Sequence, residues 1–203
     1  MRHFKVCLVL LFLITNLLFA QNQAESPAFI GLRGHAGTVL IHSKTLAAIG
    51  QPHPWGVELD LGKQFITQKA WNGCNCYPRA GLSLSYWNFD TYVLGHGITA
   101  VAYIEPVYLT KHRFNISLRC AMGISYQSSP FDSVTNPLNQ AYSTRFAFPL
   151  QVNTAFYYRL NPRINLRFAL NYNHISNGGI KLPNKGINYP TASLGVDWFV
   201  KPV

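Results

Sequence analysis

The sequence predicts an all-β chain, an eight-stranded antiparallel transmembrane β-barrel. Three observations predict it. Aromatic residues make up 14% of the chain and charged residues only 12%, which suits an apolar outer wall with aromatic girdles better than a water-soluble surface. Long stretches alternate between apolar side chains and small or polar ones, the period of a strand with two different faces. Beyond residue 20, no stretch holds enough consecutive apolar residues for a membrane helix.

The N-terminus stands apart from this pattern. Arg2, His3 and Lys5 form a basic start, Val6 to Phe19 is apolar except for Thr15 and Asn16, and Ala20 precedes the polar Gln21-Asn22-Gln23. This reads as a secretory signal over 1–20, cleaved near Ala20, leaving a single barrel domain over 21–203. An N-terminal membrane anchor is the alternative, but the apolar run is short for a span. Cys7 lacks the small-residue context of a lipid-anchored cysteine.

Eight runs follow in order, at about 27–40, 54–65, 79–90, 96–110, 112–126, 143–158, 162–176 and 190–200. The first carries Arg33, the second Glu58 and Asp60, and the fourth Glu105, each on the face opposite the apolar residues. In the fifth, Phe114, Ile116, Leu118, Cys120, Met122, Ile124 and Tyr126 share one face, against Asn115, Ser117, Arg119 and Ser125. The sixth sets Phe146, Phe148, Leu150, Val152, Phe156 and Tyr158 against Arg145, Gln151 and Asn153. The seventh sets Leu166, Phe168, Leu170 and Tyr172 against Asn165, Arg167, Asn171 and Asn173. The eighth points Leu194, Val196 and Trp198 one way and Asp197 the other. Runs this long suit tilted strands that cross a bilayer, whereas the strands of a soluble sandwich are usually shorter.

Parity assigns the connections. Lys111-His112 and Leu160-Asn161-Pro162 are tight periplasmic turns, while 41–53, 127–142 and 177–189 are outward loops. The link at 66–78 is the misfit: it should be periplasmic, yet it is long and holds Trp71, Cys74 and Cys76, as a plug or a flap would. Arg33, Arg119, Arg145, Arg167, Glu58, Asp60 and Glu105 are expected to form a lumenal ion network. Trp55, Trp87 and Trp198 are expected at the membrane interfaces.

Charge and cysteine usage narrow the function. Loss of Arg2 and Lys5 takes the formal charge from +10 to +8, because residues 1–20 contain no acid. An exported basic chain has an anionic membrane surface as its partner rather than nucleic acid. Cys74 and Cys76 can bond in an oxidising compartment, although neighbours this close make a strained bridge. No set of ligands at metal spacing completes them, and His35, His42, His53, His96 and His112 are scattered. No metal, nucleotide or redox cofactor is expected.

The chemistry gathers at the end of the seventh run. His174 and Ser176 continue the parity of Leu166 to Tyr172, so both fall on the lipid-facing wall near its outward end. A hydroxyl beside an imidazole is the minimal activated nucleophile. His-x-Ser on a strand is commonly only a rim pair, and the lipid-facing position is what singles this one out. The glycine-containing loop that follows, 177–188, can present backbone N–H groups and an Asn amide to a developing oxyanion.

The motif His174-Ile175-Ser176-Asn177, followed by Gly178-Gly179-Ile180 and Pro183-Asn184-Lys185-Gly186-Ile187, resembles the signature of the outer-membrane lipid A 3-O-deacylases. That resemblance implies a barrel in the outer membrane of a Gram-negative bacterium. It implies a substrate, lipid A in the outer leaflet, from which the 3-O-linked acyl chain is hydrolysed. His174 would be the base and Ser176 the nucleophile. Asn184 and the N–H of Gly179, with Asn177 beside them, would hold the oxyanion and substrate. The family's acidic third member corresponds to position 188, where this chain has Asn188. An amide oxygen can still orient an imidazole, but it brings no full charge to the imidazolium. Two other readings stay open: a non-catalytic barrel that binds lipid or supports the membrane, and an esterase or phospholipase for another lipid. Lys181 and Lys185 flank the site and suit either lipid phosphates or solvent.

Overall fold

The computed structural model describes residues 26–203; the expected signal segment 1–20, with Cys7, lies outside the described residues. The alternating runs become strands β1 (Ala28–Gly37), β2 (Trp55–Gln64), β3 (Arg79–Asn88), β4 (His96–Glu105), β5 (Val107–Tyr108), β6 (Phe114–Gln127), β7 (Phe146–Asn161), β8 (Ile164–Ser176) and β9 (Ile187–Phe199). β4 and β5 form one stave interrupted at Pro106, and both pair with β6. A proline has no N–H for the ladder, so the break falls there. The sheet runs β4-β3-β2-β1-β9-β8-β7-β6-β5 and closes through β4–β6, giving eight antiparallel staves without a free edge. Among the described residues no helix is long and apolar enough to cross a membrane, which leaves crossing to the strands.

The two faces invert the usual order of a protein. Leu32 is 64% exposed and Leu194 69%, while Arg33 and Asp197 are buried at 1% and 0%. Every stave sends a polar group into the lumen. Arg33 bridges Glu58 (2.9 Å), Asp60 and Asp197 (3.0 Å), and Arg79 reaches Asp197 at 2.7 Å. Arg119 bridges Asp60 (2.6 Å) and Glu105 (2.8 Å), and Tyr157 donates to Glu105 at 2.6 Å. Arg167 donates to Tyr157 Oη and Asn153 Oδ1. The interior is therefore filled, as a barrel this narrow allows.

Three expectations change. Arg145 is not lumenal: β7 begins one residue later, and Arg145 lies exposed on the rim, donating to Tyr126 Oη and the Ser128 carbonyl. Arg79 and Asp197 take part in the network instead. Trp87 is not an interface anchor; it is fully buried, with its indole N–H on Ser85 Oγ at 2.9 Å. Its place in β3 shares the inward parity of Ser83 and Ser85, and parity outweighs the general liking of Trp for interfaces. Trp55 and Trp198 do stand exposed on the wall. The last strand starts at Ile187 rather than 190, because the residue before a proline favours extended backbone and Pro190 does not end the strand.

Long connections (38–54, 89–95, 128–145, 177–186) gather at one end, called here the loop end. Beneath them lies an apolar core of Val39, Leu46, Ile49, Trp87, Phe89, Val93, Leu94, Tyr142, Ile175, Ile187 and Tyr189. At the opposite end the 65–78 link contains helix α1 (Gln68–Cys74), capped by Thr67 Oγ1 on Ala70 N–H. No residue of α1 is buried, so the link is a rim flap rather than a plug. It rests against the next turn, with Lys111 Nζ 5.6 Å from the Trp71 ring and Tyr77 N–H on the Val107 carbonyl. Cys74 and Cys76 are joined by a disulfide, and Cys120 is a free thiol on the outer wall.

Candidate active site

The site grows out of the last turns of β8. Leu166 to Tyr172 face outward there, and Ile175 is buried in the loop-end core. A residue anchored inward fixes its neighbours outward, so His174 and Ser176 stand partly exposed on the outer wall beside the core's rim. Their neighbours follow from register. On one side Leu150 lies opposite His174 and Phe148 opposite Ser176; on the other, Asn188 lies opposite His174.

That register brings two of the expected residues together. His174 Nδ1 lies 2.8 Å from Asn188 Oδ1. Because the amide oxygen can only accept, the contact sets the proton on Nδ1 and leaves Nε2 with its lone pair. Ser176 Oγ is not hydrogen-bonded to the imidazole in this structure; the two share a face but their polar atoms are apart. Hydrogen bonds of this kind often tighten only when substrate arrives. Among the described residues no carboxylate replaces the missing acid: Asp197 is buried at the far end of β9, opposite Asn165, and is engaged by Arg33 and Arg79.

The 177–186 loop is built around Asn177. Its side chain is buried; Nδ2 donates to the Lys181 carbonyl (2.7 Å) and Ser143 Oγ (3.1 Å), and Oδ1 accepts from Gly179 N–H (3.0 Å). In this structure both residues already have partners within the loop. The Asn177 side chain ties the loop together, and the Gly179 N–H donates to it. Gly179 has φ +78°, a turn conformation that favours glycine. Asn184 accepts the Asn177 N–H on Oδ1 at 2.9 Å, which leaves its Nδ2 as a donor without a protein partner among the described residues.

Gly186 lies against the imidazole. A Cβ there would lie 2.7 Å from His174 Cε1, and φ is +69°, so glycine lets the ring lie flat against the loop. The loop is tied to its neighbour through Lys185 N–H on the Gln140 carbonyl and Gly186 N–H on the Ala141 carbonyl. In that neighbouring loop the backbone N–H groups of Thr135 and Val134 hold the Asp132 carboxyl below its usual range. Lys44, Lys181 and Lys185 are exposed around the site, giving it a positive rim.

One site residue escaped the sequence reading. His42, from the 38–54 loop, lies against Asn188: Asn188 Nδ2 is 3.2 Å from His42 Nδ1, and His42 Nε2 is 3.2 Å from the Lys185 carbonyl. The bridge between Leu40 N–H and the Asn188 carbonyl (2.8 Å) holds this loop in place. Nothing local in the sequence signals the contact, which spans 146 positions. Among the described residues no group of three or more His, Cys, Asp or Glu side chains is arranged to hold a metal ion.

The geometry can be set beside known proteins. The family model described as lipid A 3-O-deacylase (PagL) matches residues 55–197, more than half of the chain, and that span includes β8, the loop after it and β9 as far as Asp197. No curated protein matches. Among solved structures, the Neisserial surface protein A (NspA) is similar at TM-score 0.59 and 12% identity, over 84% of this chain and 96% of that one. The attachment invasion locus protein Ail of Yersinia pestis aligns at 14% identity over 86% of this chain and 99% of its own, with a TM-score of 0.44. The first of these likenesses shows the barrel fold; the second carries no argument.

Proposed function

The chain belongs to the lipid A 3-O-deacylase family, and from that premise we propose that it hydrolyses the 3-O-acyl ester of lipid A with Ser176 as nucleophile and His174 as base. The observation that carries the mechanism is the 2.8 Å contact between His174 Nδ1 and Asn188 Oδ1, which prepares Nε2 to accept a proton on the wall where a lipid ester would lie. Ser176 Oγ attacks the acyl carbonyl carbon as its proton passes to His174 Nε2. Asn184 Nδ2 donates to the tetrahedral oxyanion. The intermediate collapses, the sugar oxygen leaves with the proton from His174, and the acyl chain stays on Ser176. Water then attacks the acyl-enzyme with the same base, releasing a 3-hydroxy acid and restoring Ser176. Lys181 and Lys185 would meet the lipid phosphates.

The same reading places the chain in the outer membrane of a Gram-negative bacterium after cleavage of 1–20, with the loop end and its site at the outer leaflet. Membrane and lipid A are its partners. The test is expression in a host of defined lipid A, read by mass spectrometry of the lipid. A loss of one 3-hydroxyacyl mass is expected, absent with Ser176→Ala; an unchanged lipid A spectrum, or equal activity in that variant, would overturn the proposal. Two observations favour a second reading, a non-catalytic barrel: the amide at 188 and the open distance between Ser176 and His174. That reading gains if Asn188→Glu creates an activity the native chain lacks.

A further inference from the structure

We propose that His42 is a positioning residue that orients the Asn188 amide, doing for an amide what a carboxylate in that place would not need. This rests on the reading of Asn188 as the third member of the site. A carboxylate presents two equivalent oxygens, and either one accepts the His174 Nδ1 proton. An amide has one oxygen and one NH2 group, and the wrong orientation aims donors at His174. With Nδ2 toward His174, the imidazole would have to accept on Nδ1 and carry its proton on Nε2, the atom that must be empty to act as a base.

The structure supplies what selects the right orientation. Nδ2 of Asn188 points to His42 Nδ1 at 3.2 Å, while Oδ1 points to His174 at 2.8 Å. For His42 Nδ1 to accept, its proton must sit on Nε2, and there the Lys185 carbonyl is ready to take it at 3.2 Å. The chain of donors runs one way: His174 N–H to Asn188 oxygen, Asn188 N–H to His42, His42 N–H to Lys185 carbonyl. The backbone bond from Leu40 to Asn188 keeps His42 beside β9.

Protonation of His42 reverses the selection. An imidazolium has no lone pair, so it repels Nδ2 and attracts Oδ1, turning the amide away from His174. Its Nδ1–H can then also donate to the Leu40 carbonyl, 3.3 Å away. The charged or titratable neighbours are His174 on β8, Lys185 in the 177–186 loop and Lys44 two residues along from His42 itself. A positive charge on His42 therefore removes the selection that holds the amide oxygen on His174.

The experiment uses the full chain in detergent micelles with lipid A. His42→Ala should lower kcat about tenfold, the worth of one orienting hydrogen bond, with KM little changed. His42→Gln, whose amide oxygen can accept from Asn188, should recover most of the loss. In an Asn188→Asp background, His42→Ala should cost less than twofold. Equal losses in both backgrounds, or a loss confined to KM, would overturn the proposal. A readout independent of turnover keeps it separate from the catalytic reading: 15N spectra of the His174 ring should show one tautomer, protonated on Nδ1, in the native chain and a mixture in His42→Ala. An unchanged tautomer overturns the proposal even in an active enzyme. A changed tautomer in an inactive chain upholds it while the catalytic reading fails.

Discussion

The middle of the barrel and its loop end are filled in opposite ways. The middle is held by arginines and carboxylates that bridge every stave, with Arg33, Asp60, Arg119 and Asp197 at its centre. The loop end is closed by an apolar and aromatic core, like that of a soluble protein, in which Trp87 packs edge-on against Tyr189 and near His35. The lesson is a division of labour. A narrow lumen behind an apolar outer wall has room for only small apolar clusters (Phe29, Val101, Tyr103 and Phe199; Ala155 and Ala169), so its interior is tied chiefly by charge. The loop end emerges from lipid, and there an apolar core can hold loops at fixed height. The site stands on that second region: Ile175 and Ile187, which flank His174 and Asn188, are both core residues.

Substitutions can break this comparison, from the largest effect to the smallest. Ser176→Ala should remove acyl release by about 10^4-fold or more while leaving the melting of the folded barrel unchanged; a shift in melting would mean that site and scaffold are not separate. Arg119→Ala takes the ion-pair partner from buried Glu105 and one of two from Asp60, which keeps Arg33, and should destabilise the barrel by about 3–5 kcal/mol, seen as loss of the folded gel band at a lower heating temperature. Activity per folded molecule should persist, since the network lies away from the site. Leu46→Ala opens a cavity in the loop-end core and should cost about 2–4 kcal/mol. Unlike the Arg119 change, it should lower activity as well, because the 3-10 helix at Lys44–Ile49 follows directly on His42. Gly186→Ala should lower activity about tenfold, because the new methyl group displaces the His174 ring, and should cost about 1–2 kcal/mol of stability, because φ at 186 is +69°. Asn188→Asp is the mildest: a carboxylate that supports the imidazolium should raise kcat about tenfold, and a fall would show that the amide suits this site better than an acid.

Much of this was legible in local pattern. The parity of Leu166 to Tyr172 assigns His174 and Ser176 to the lipid wall, and the same rule puts Asp197 inward. Residue type misleads where it competes with parity, and parity misleads where the strand has not yet begun. Trp87 was sent to the interface because tryptophans favour it, although Ser83 and Ser85 mark its side of β3 as lumenal. Parity groups Arg145 with Gln151 and Asn153, but the residue precedes β7, where the alternation of the strand no longer decides its direction. The flap at 65–78 was misfit by length and resolved only by seeing that α1 buries nothing.

By itself, then, the sequence determined the barrel, the faces of its strands and the wall that carries the hydroxyl and the imidazole. Alternation decides those, and alternation is a property of neighbours in the chain. Tertiary structure decided what meets the imidazole. The register of β8 on β9 sets Asn188 opposite His174, the packing of Leu46 and Ile49 brings a loop from 146 positions away to set His42 behind Asn188, and Asn177 takes up the Gly179 N–H. These contacts depend on where separate segments land on one another, and closure of the barrel is what brings them together.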